Sequence, residues 1–157
     1  MTTREQPWSD VAPDTGRVVL LSRNPIAEAI ASIATTAGRA VAVIEEDDGG
    51  GAEALARLVL RDGDSVVLCD HDAPDAPRVL REALASPASY VAMMASRRRA
   101  EGLLEELRRE DVAGLAKLHV PAGLNTGGKA PGEIALSVVA EIVACANGRD
   151  GGSMRRA

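Results

Sequence analysis

The sequence predicts a doubly wound α/β domain, a three-layer sandwich on a mostly parallel sheet of about five strands. Three observations carry that expectation. Apolar strand-like runs alternate with helix-periodic runs along the chain. The length of 157 residues fits one domain, which can bury a sizeable core without disulfides or metals. Polar residues that no core requires fall directly after the strand-like runs, where ligands of open parallel sheets bind.

The first strand is expected over Arg17 to Leu21 and the first helix over Pro25 to about Ala37. That helix places Ile26, Ile30, Ile33 and Ala37 at helical spacing, and Gly38 ends it. The second strand is Ala40 to Ile44. A turn at Asp47-Asp48-Gly49-Gly50-Gly51 leads to a helix over Ala52 to Arg61, and Asp62-Gly63-Asp64 is another turn. The third strand is Ser65 to Cys69, followed by a helix over Ala76 to Ala85 and a fourth strand over Ser89 to Met94. Ser96 has the chemistry of an N-cap for a helix reaching Arg109. A shorter helix is expected over Asp111 to Leu118, then a fifth strand or extended loop through His119 to Leu124. The last helix starts near Pro131, buries Ile134, Val138 and Ile142, and stops at Asn147-Gly148. The domain is thus expected over residues 16–148, with flexible segments at 1–15 and 149–157.

Composition narrows the function classes. The chain has one Trp, one Tyr and no Phe, so the core must be built from Ala, Val, Leu and Ile. A formal net charge of −5 argues against a general nucleic-acid binder. No apolar run reaches the roughly 20 residues of a membrane span, and no signal peptide opens the chain. Cys69 and Cys145 lack metal-ligand spacing and read as small core residues. A reduced, cytoplasmic setting is expected.

The candidate site is assembled from the strand ends. With strand order 3-2-1-4-5, the first and fourth strands flank the crevice, and Asn24 and Ser96 stand on its opposite lips. Arg97-Arg98-Arg99 occupies the first turn of a helix, where the macrodipole already places positive charge. Glu101 can pair with Arg97 at i,i+4, and a phosphate on the helix amides accounts for further arginines. Gly123-Leu124-Asn125-Thr126-Gly127-Gly128-Lys129 reads either as a flexible turn or as a backbone nest for phosphate or pterin oxygens, with Lys129 as a point charge. The first turn, Ser22-Arg23-Asn24-Pro25-Ile26-Ala27, lacks the dinucleotide-binding glycines. Asn24 can cap the helix there and Pro25 suits its first position, so ordinary NAD(P) binding is disfavoured. Glu45 stands where a ribose-binding acid would. Asp70-His71-Asp72 reads as a base, a metal ligand or a hydrogen-bonded turn, and no second ligand is identifiable from spacing.

Several of these stretches together resemble a known family. They are Asp70-His71-Asp72, Tyr90-Val91-Ala92, Ala95-Ser96-Arg97-Arg98, Pro121-Ala122-Gly123-Leu124-Asn125 and Ala130-Pro131-Gly132-Glu133-Ile134-Ala135. From about Val18 to Val143 the chain resembles the C-terminal Rossmann domain of the XdhC/CoxI family, the xanthine dehydrogenase accessory proteins. The family's glycine-alanine-glycine-histidine turn would fall on Ser22 to Pro25, and this chain carries none of those four residues. The resemblance implies a Rossmann-like fold and a non-catalytic maturation factor for a molybdenum hydroxylase of the xanthine or CO dehydrogenase type. It implies binding of molybdenum cofactor, as molybdopterin or a dinucleotide form, through Ser22, Asn24, Glu45, Asp70, His71, Ser96, Arg97, Arg98, Asn125 and Lys129. The implied partners are an apo-hydroxylase, a second copy of the chain, and a separate protein resembling the family's N-terminal segment, or a sulfurating enzyme. An NAD(P)-binding oxidoreductase or nucleotide sensor, and a degenerate scaffold or dimerisation domain, are the alternatives.

Overall fold

The computed structural model describes residues 8–9, 15–45 and 50–155. The expected turn at Asp47-Asp48-Gly49 and most of the expected N-terminal segment lie outside them. In chain order the elements are β1 (Val18–Leu21), α1 (Pro25–Thr36), β2 (Val41–Ile44), α2 (Gly51–Arg57), β3 (Ser65–Leu68), α3 (Ala76–Ala85), β4 (Tyr90–Met93), α4 (Arg97–Arg109), β5 (Leu118–His119) and α5 (Pro131–Ala146). One 3-10 turn, Leu115–Lys117, precedes β5.

Local chemistry explains most of the boundaries. Asn24 is extended and its side chain accepts from the Ala27 N–H at 2.9 Å, so α1 starts at Pro25. Gly38, at φ 84°, closes it. Its N–H bonds Thr35 O and the Arg39 N–H bonds Ala34 O, both at 3.0 Å, which satisfies the last carbonyls. Ser96 Oγ accepts from the Arg99 N–H at 3.2 Å and opens α4 as expected.

Three elements are shorter than the pattern suggests. Helix α2 stops at Arg57 because Val59 turns to φ 48° and the Arg17 guanidinium takes the Leu58 and Val59 carbonyls. The expected helix over Asp111 to Leu118 shrinks to the 3-10 turn, since Asp111 (φ 52°) and Gly114 (φ 75°) leave the helical region. The fifth strand is only Leu118–His119. After it the chain passes a cis Val120–Pro121 bond and touches the sheet again through the Ala122 N–H on Met93 O, at 3.1 Å.

All five strands are parallel, in the order β2-β1-β3-β4-β5. This corrects the expected 3-2-1-4-5. The chain reverses direction after β2, so α2 crosses back over β1 and β3 pairs with β1. Right-handed crossovers then put α1 on one face and α2, α3 and α4 on the other. The two cores reflect that split. Val19, Leu21, Val66, Leu68, Val91 and Met93 face Leu55, Leu80, Leu84 and Leu107. Val18, Leu20, Val67, Tyr90 and Ala92 face Ile30 of α1 and Val138 and Ile142 of α5. Ala27, Ala34 and Ala135 lie in that second core, where small side chains let α1 and α5 approach.

Beneath the sheet, the Asp62-Gly63-Asp64 turn points a carboxylate inward. The Asp64 side chain is 1% exposed. It accepts from the Arg17 N–H and the Arg61 N–H, both at 2.9 Å, and pairs with Arg17 Nη2 at 2.7 Å. Burial alone would raise its pKa, but these donors outweigh it and hold the carboxyl below its ordinary value.

Candidate functional site

In the order 2-1-3-4-5 the switch point lies between β1 and β3, so a ligand crevice belongs outside their carboxyl ends. A cleft of 270 Å³ opens there, toward β2 and the α2–α3 face. Leu21, Ile44, Leu68 and Val79 form its apolar wall, and Ser22, Glu45, Asp70 and Asp75 supply its polar groups.

The lips of the crevice differ from the expected pair. Asn24 faces the end of β3, not Ser96, because β3 intervenes between β1 and β4. Its Nδ2 donates to Cys69 O at 3.1 Å while its Oδ1 caps α1, so one side chain latches the β1 turn to β3. Few amide donors are left for a pyrophosphate at this helix start: Pro25 has no N–H and the Ala27 N–H is taken by Asn24 Oδ1.

Ser22 carries a trace of a glycine turn. Its φ is 78°, in the left-handed region that costs a side chain about 1–2 kcal/mol. Ser22→Gly is expected to stabilise the fold by about 1 kcal/mol, read by urea denaturation followed by circular dichroism. Stability equal to or below wild type would mean that the hydroxyl, not the backbone, decides this position.

Glu45 is held by Arg23, whose Nε reaches Glu45 Oε1 at 2.5 Å. Asp70 takes the Asp72 N–H at 2.9 Å. Two residues of the cleft escaped the sequence reading. Asp75 Oδ2 accepts from the Gly51 N–H at 2.6 Å and so anchors α2 to α3. A Cβ at Gly51 would stand 2.8 Å from that carboxylate and 3.1 Å from Val79, so a larger residue there would have to push these side chains aside. A glycine run directly before a helix was the signal that could have found it.

The other predicted residues sit further along the carboxyl edge. His71 Nδ1 lies 2.8 Å from Met94 O, and its Nε2 lies 3.4 Å from Asp72. Asp72 in turn holds Arg99 at 2.9 Å, tying the β3 loop to the start of α4. The expected Arg97–Glu101 pair does not form. Among the described residues, Arg97 and Arg98 have no ion pair, and both are exposed. Ser96 caps only Arg99, so among the described residues the first two N–H groups of α4 have no acceptor.

The glycine loop is not a free nest. Its N–H groups at Thr126, Gly128 and Lys129 bond Leu124 O, Thr126 Oγ1 and Glu133 Oε2 at 2.9, 3.3 and 3.0 Å. Asn125 and the Lys129 side chain are exposed beyond β5. The structure thus gathers Ser22, Glu45 and Asp70 at one cleft, with Asn24 beside it, latched to Cys69. It places His71, Ser96, Arg97 and Arg98 at the next strand ends, and leaves Asn125 and Lys129 on an outer loop. Among the described residues, no group of three or more His, Cys, Asp or Glu could hold a metal ion, and no helix is long and apolar enough to cross a membrane.

A parallel sheet covered on both faces, with a cleft at its carboxyl edge, defines a Rossmann-like domain. A family model for the XdhC Rossmann domain matches residues 18–142, and the chain belongs to that family. A crystal structure of a xanthine dehydrogenase from Bacillus halodurans superposes with a TM-score of 0.70 at 20% identity, covering 89% of this chain and 45% of that one. A sugar isomerase domain of an RpiR transcription factor from Sphaerobacter thermophilus gives a TM-score of 0.47 at 16% identity, over 86% of this chain and 74% of that one. The uncharacterized protein YqeB of Escherichia coli (strain K12) is 39% identical over 79 residues, which is 49% of this chain but 15% of that protein. The chain therefore spans less than half the length of YqeB and of the Bacillus halodurans protein.

Proposed function

We propose that this domain is an accessory factor for a molybdenum hydroxylase of the xanthine or CO dehydrogenase type. It binds molybdenum cofactor in its molybdopterin form and assists its insertion into the apo-enzyme. Membership of the XdhC Rossmann family over residues 18–142 is the observation that carries the reading. The donor set fits such a group. Glu45, Asp70 and Asp75 offer acceptors to the N–H groups of a pterin ring. Arg97, Arg98 and the two open N–H groups of α4 offer donors to its phosphate. Asn24 keeps the first turn closed, which favours the phosphate form over a dinucleotide. Once inserted, the cofactor supplies the redox centre of the hydroxylase. This chain's residues bind and release it, and its working partners are the apo-hydroxylase and, on the family reading, a second copy or a sulfurating enzyme.

Two measurements test this. Purified molybdenum cofactor should bind the folded domain at micromolar concentration or below and raise its melting temperature. NAD, NADP, AMP and CTP should shift it little, because Pro25 and the Asn24 cap leave the start of α1 few free amides. A shift with NAD or NADP larger than with cofactor would instead support a nucleotide-binding oxidoreductase or sensor. No shift with any of them would leave a scaffold.

A further inference from the structure

Away from the carboxyl edge, a second constellation stands outside the reading above. His119 of β5 stacks on Tyr90, with ring centroids 4.5 Å apart. His119 Nδ1 lies 3.4 Å from Glu141 Oε1, and its Nε2 lies 3.8 Å from Cys145 Sγ. Glu141 Oε1 also accepts from the Tyr90 hydroxyl at 2.6 Å and the Gly123 N–H at 3.1 Å. Burial alone would raise the Glu141 pKa, but these donors hold the carboxyl below its ordinary range. An ionised Glu141 facing Nδ1 keeps the imidazole proton there and leaves Nε2 as the acceptor toward the thiol. Nucleophile, base and positioning residue thus stand in triad relation. Cys145, expected in the core, is exposed, while Cys69 is 4% exposed with its thiol pushed up to about 12 by burial.

Cys145 also lines a cavity of 580 Å³ beneath the N-terminal ends of β1, β3 and β4. Arg39 lines the same cavity and is 7% exposed. Among the described residues, no carboxylate pairs with its guanidinium and no acceptor bonds it. Among the described residues Asp62 is the carboxylate that lines the cavity, and it takes the Ser89 hydroxyl at 2.8 Å. Burial works against the charged guanidinium, which nonetheless stays protonated. Its guanidinium nitrogens therefore open onto the cavity, where they offer charged donors to an anionic group.

We propose that this cavity is a thiol-exchange site, in which Cys145 reacts with a small carboxylate-bearing disulfide whose anionic end rests on Arg39. His119 Nε2 takes the thiol proton as the Cys145 sulfur attacks one sulfur of the disulfide. A new S–S bond forms, the old one breaks, and the leaving thiolate recovers the proton from His119. Cys145 is oxidised to the mixed disulfide and the departing half is reduced to a thiol. Acyl transfer is a poorer fit, because it needs donors for an oxyanion and the Gly123 N–H is already bonded to Glu141. Burial and the Glu141 charge raise the Cys145 thiol, so the reaction draws on His119 rather than on a standing thiolate.

The folded protein is mixed at neutral pH with glutathione disulfide or with cystamine, which carries amines in place of carboxylates, and adducts are followed by intact mass spectrometry. One adduct is expected, absent in Cys145→Ser, and forming about fivefold faster or more with glutathione disulfide. Arg39→Met should abolish that preference and Arg39→Lys should retain most of it. His119→Gln should slow both reagents about tenfold at neutral pH and leave only the alkaline rise of thiol ionisation. Tyr90, Glu141, Arg39 and Asp62, the other titratable or charged groups facing the thiol or its cavity, are unchanged in that variant. Equal wild-type rates with the two disulfides, a preference that survives Arg39→Met, or a full neutral-pH rate in His119→Gln overturns the proposal. Circular dichroism shows which variants are folded.

Discussion

Asp64→Ala is expected to lower the unfolding free energy by about 3 kcal/mol at neutral pH, or about 6–12 °C in melting temperature. The substitution leaves the Arg17 and Arg61 N–H groups without an acceptor and removes the partner of a guanidinium that also clamps the end of α2. The estimate sits at the low end for a broken buried pair because Arg17 is 23% exposed and can rehydrate. Asp64→Asn keeps an acceptor and should cost less, about 1–2 kcal/mol. The acid dependence has a definite sign. The folded pKa of Asp64 is depressed, so its stabilisation is complete above the unfolded value of about 3.9 and fades as pH falls through the folded value. Urea denaturation at pH 7 and pH 3 should therefore show the gap between wild type and Asp64→Ala narrowing in acid. A gap that is constant, or wider at pH 3, would mean that the carboxylate is not the source.

The Arg97→Ala/Arg98→Ala double variant should bind purified molybdenum cofactor about 10- to 100-fold more weakly, as expected for losing one or two charge-assisted contacts to phosphate. Its stability should move the other way. Two cations in the first turn of α4 oppose the helix dipole, so their removal should raise stability by about 0.3–1 kcal/mol per arginine. Loss of binding with a gain in melting temperature separates a binding role from a structural one. Arg99→Ala is the matched control. It breaks an exposed pair with Asp72, worth little, and should keep most of the affinity. Wild-type affinity in the double variant would remove the arginines from the site.

What could be read from the sequence was what local chemistry decides. Asn24 before Pro25, Ser96 before the arginines and Gly38 after α1 each announce a helix end within a few residues, and each end lies where expected. The strand order could not be read, because the helical and apolar periodicities of both common orders are alike; only the β1–β3 pairing decides it. The expected order set Ser96 opposite Asn24, where the observed order sets the end of β3. The glycine loop after β5 could not be decided for a different reason. Its composition allowed either a turn or a nest of free amides, and Glu133, four residues beyond Lys129, claims one of those amides. Cys145, His119 and Glu141 were invisible as a group because β5 and α5 bring them together only in the folded chain.

The scarcity of aromatic residues has an experimental consequence. Trp8, the sole indole, is 65% exposed, so its emission is already that of a wetted chromophore and should change little on unfolding. Tyr90 is the opposite: 2% exposed, stacked on His119 and donating to the Glu141 carboxylate, a combination that quenches phenol fluorescence. Resolved from the Trp8 emission by its shorter wavelength, the fluorescence of the single tyrosine should brighten as the domain opens, a probe set at the junction of β4, β5 and α5.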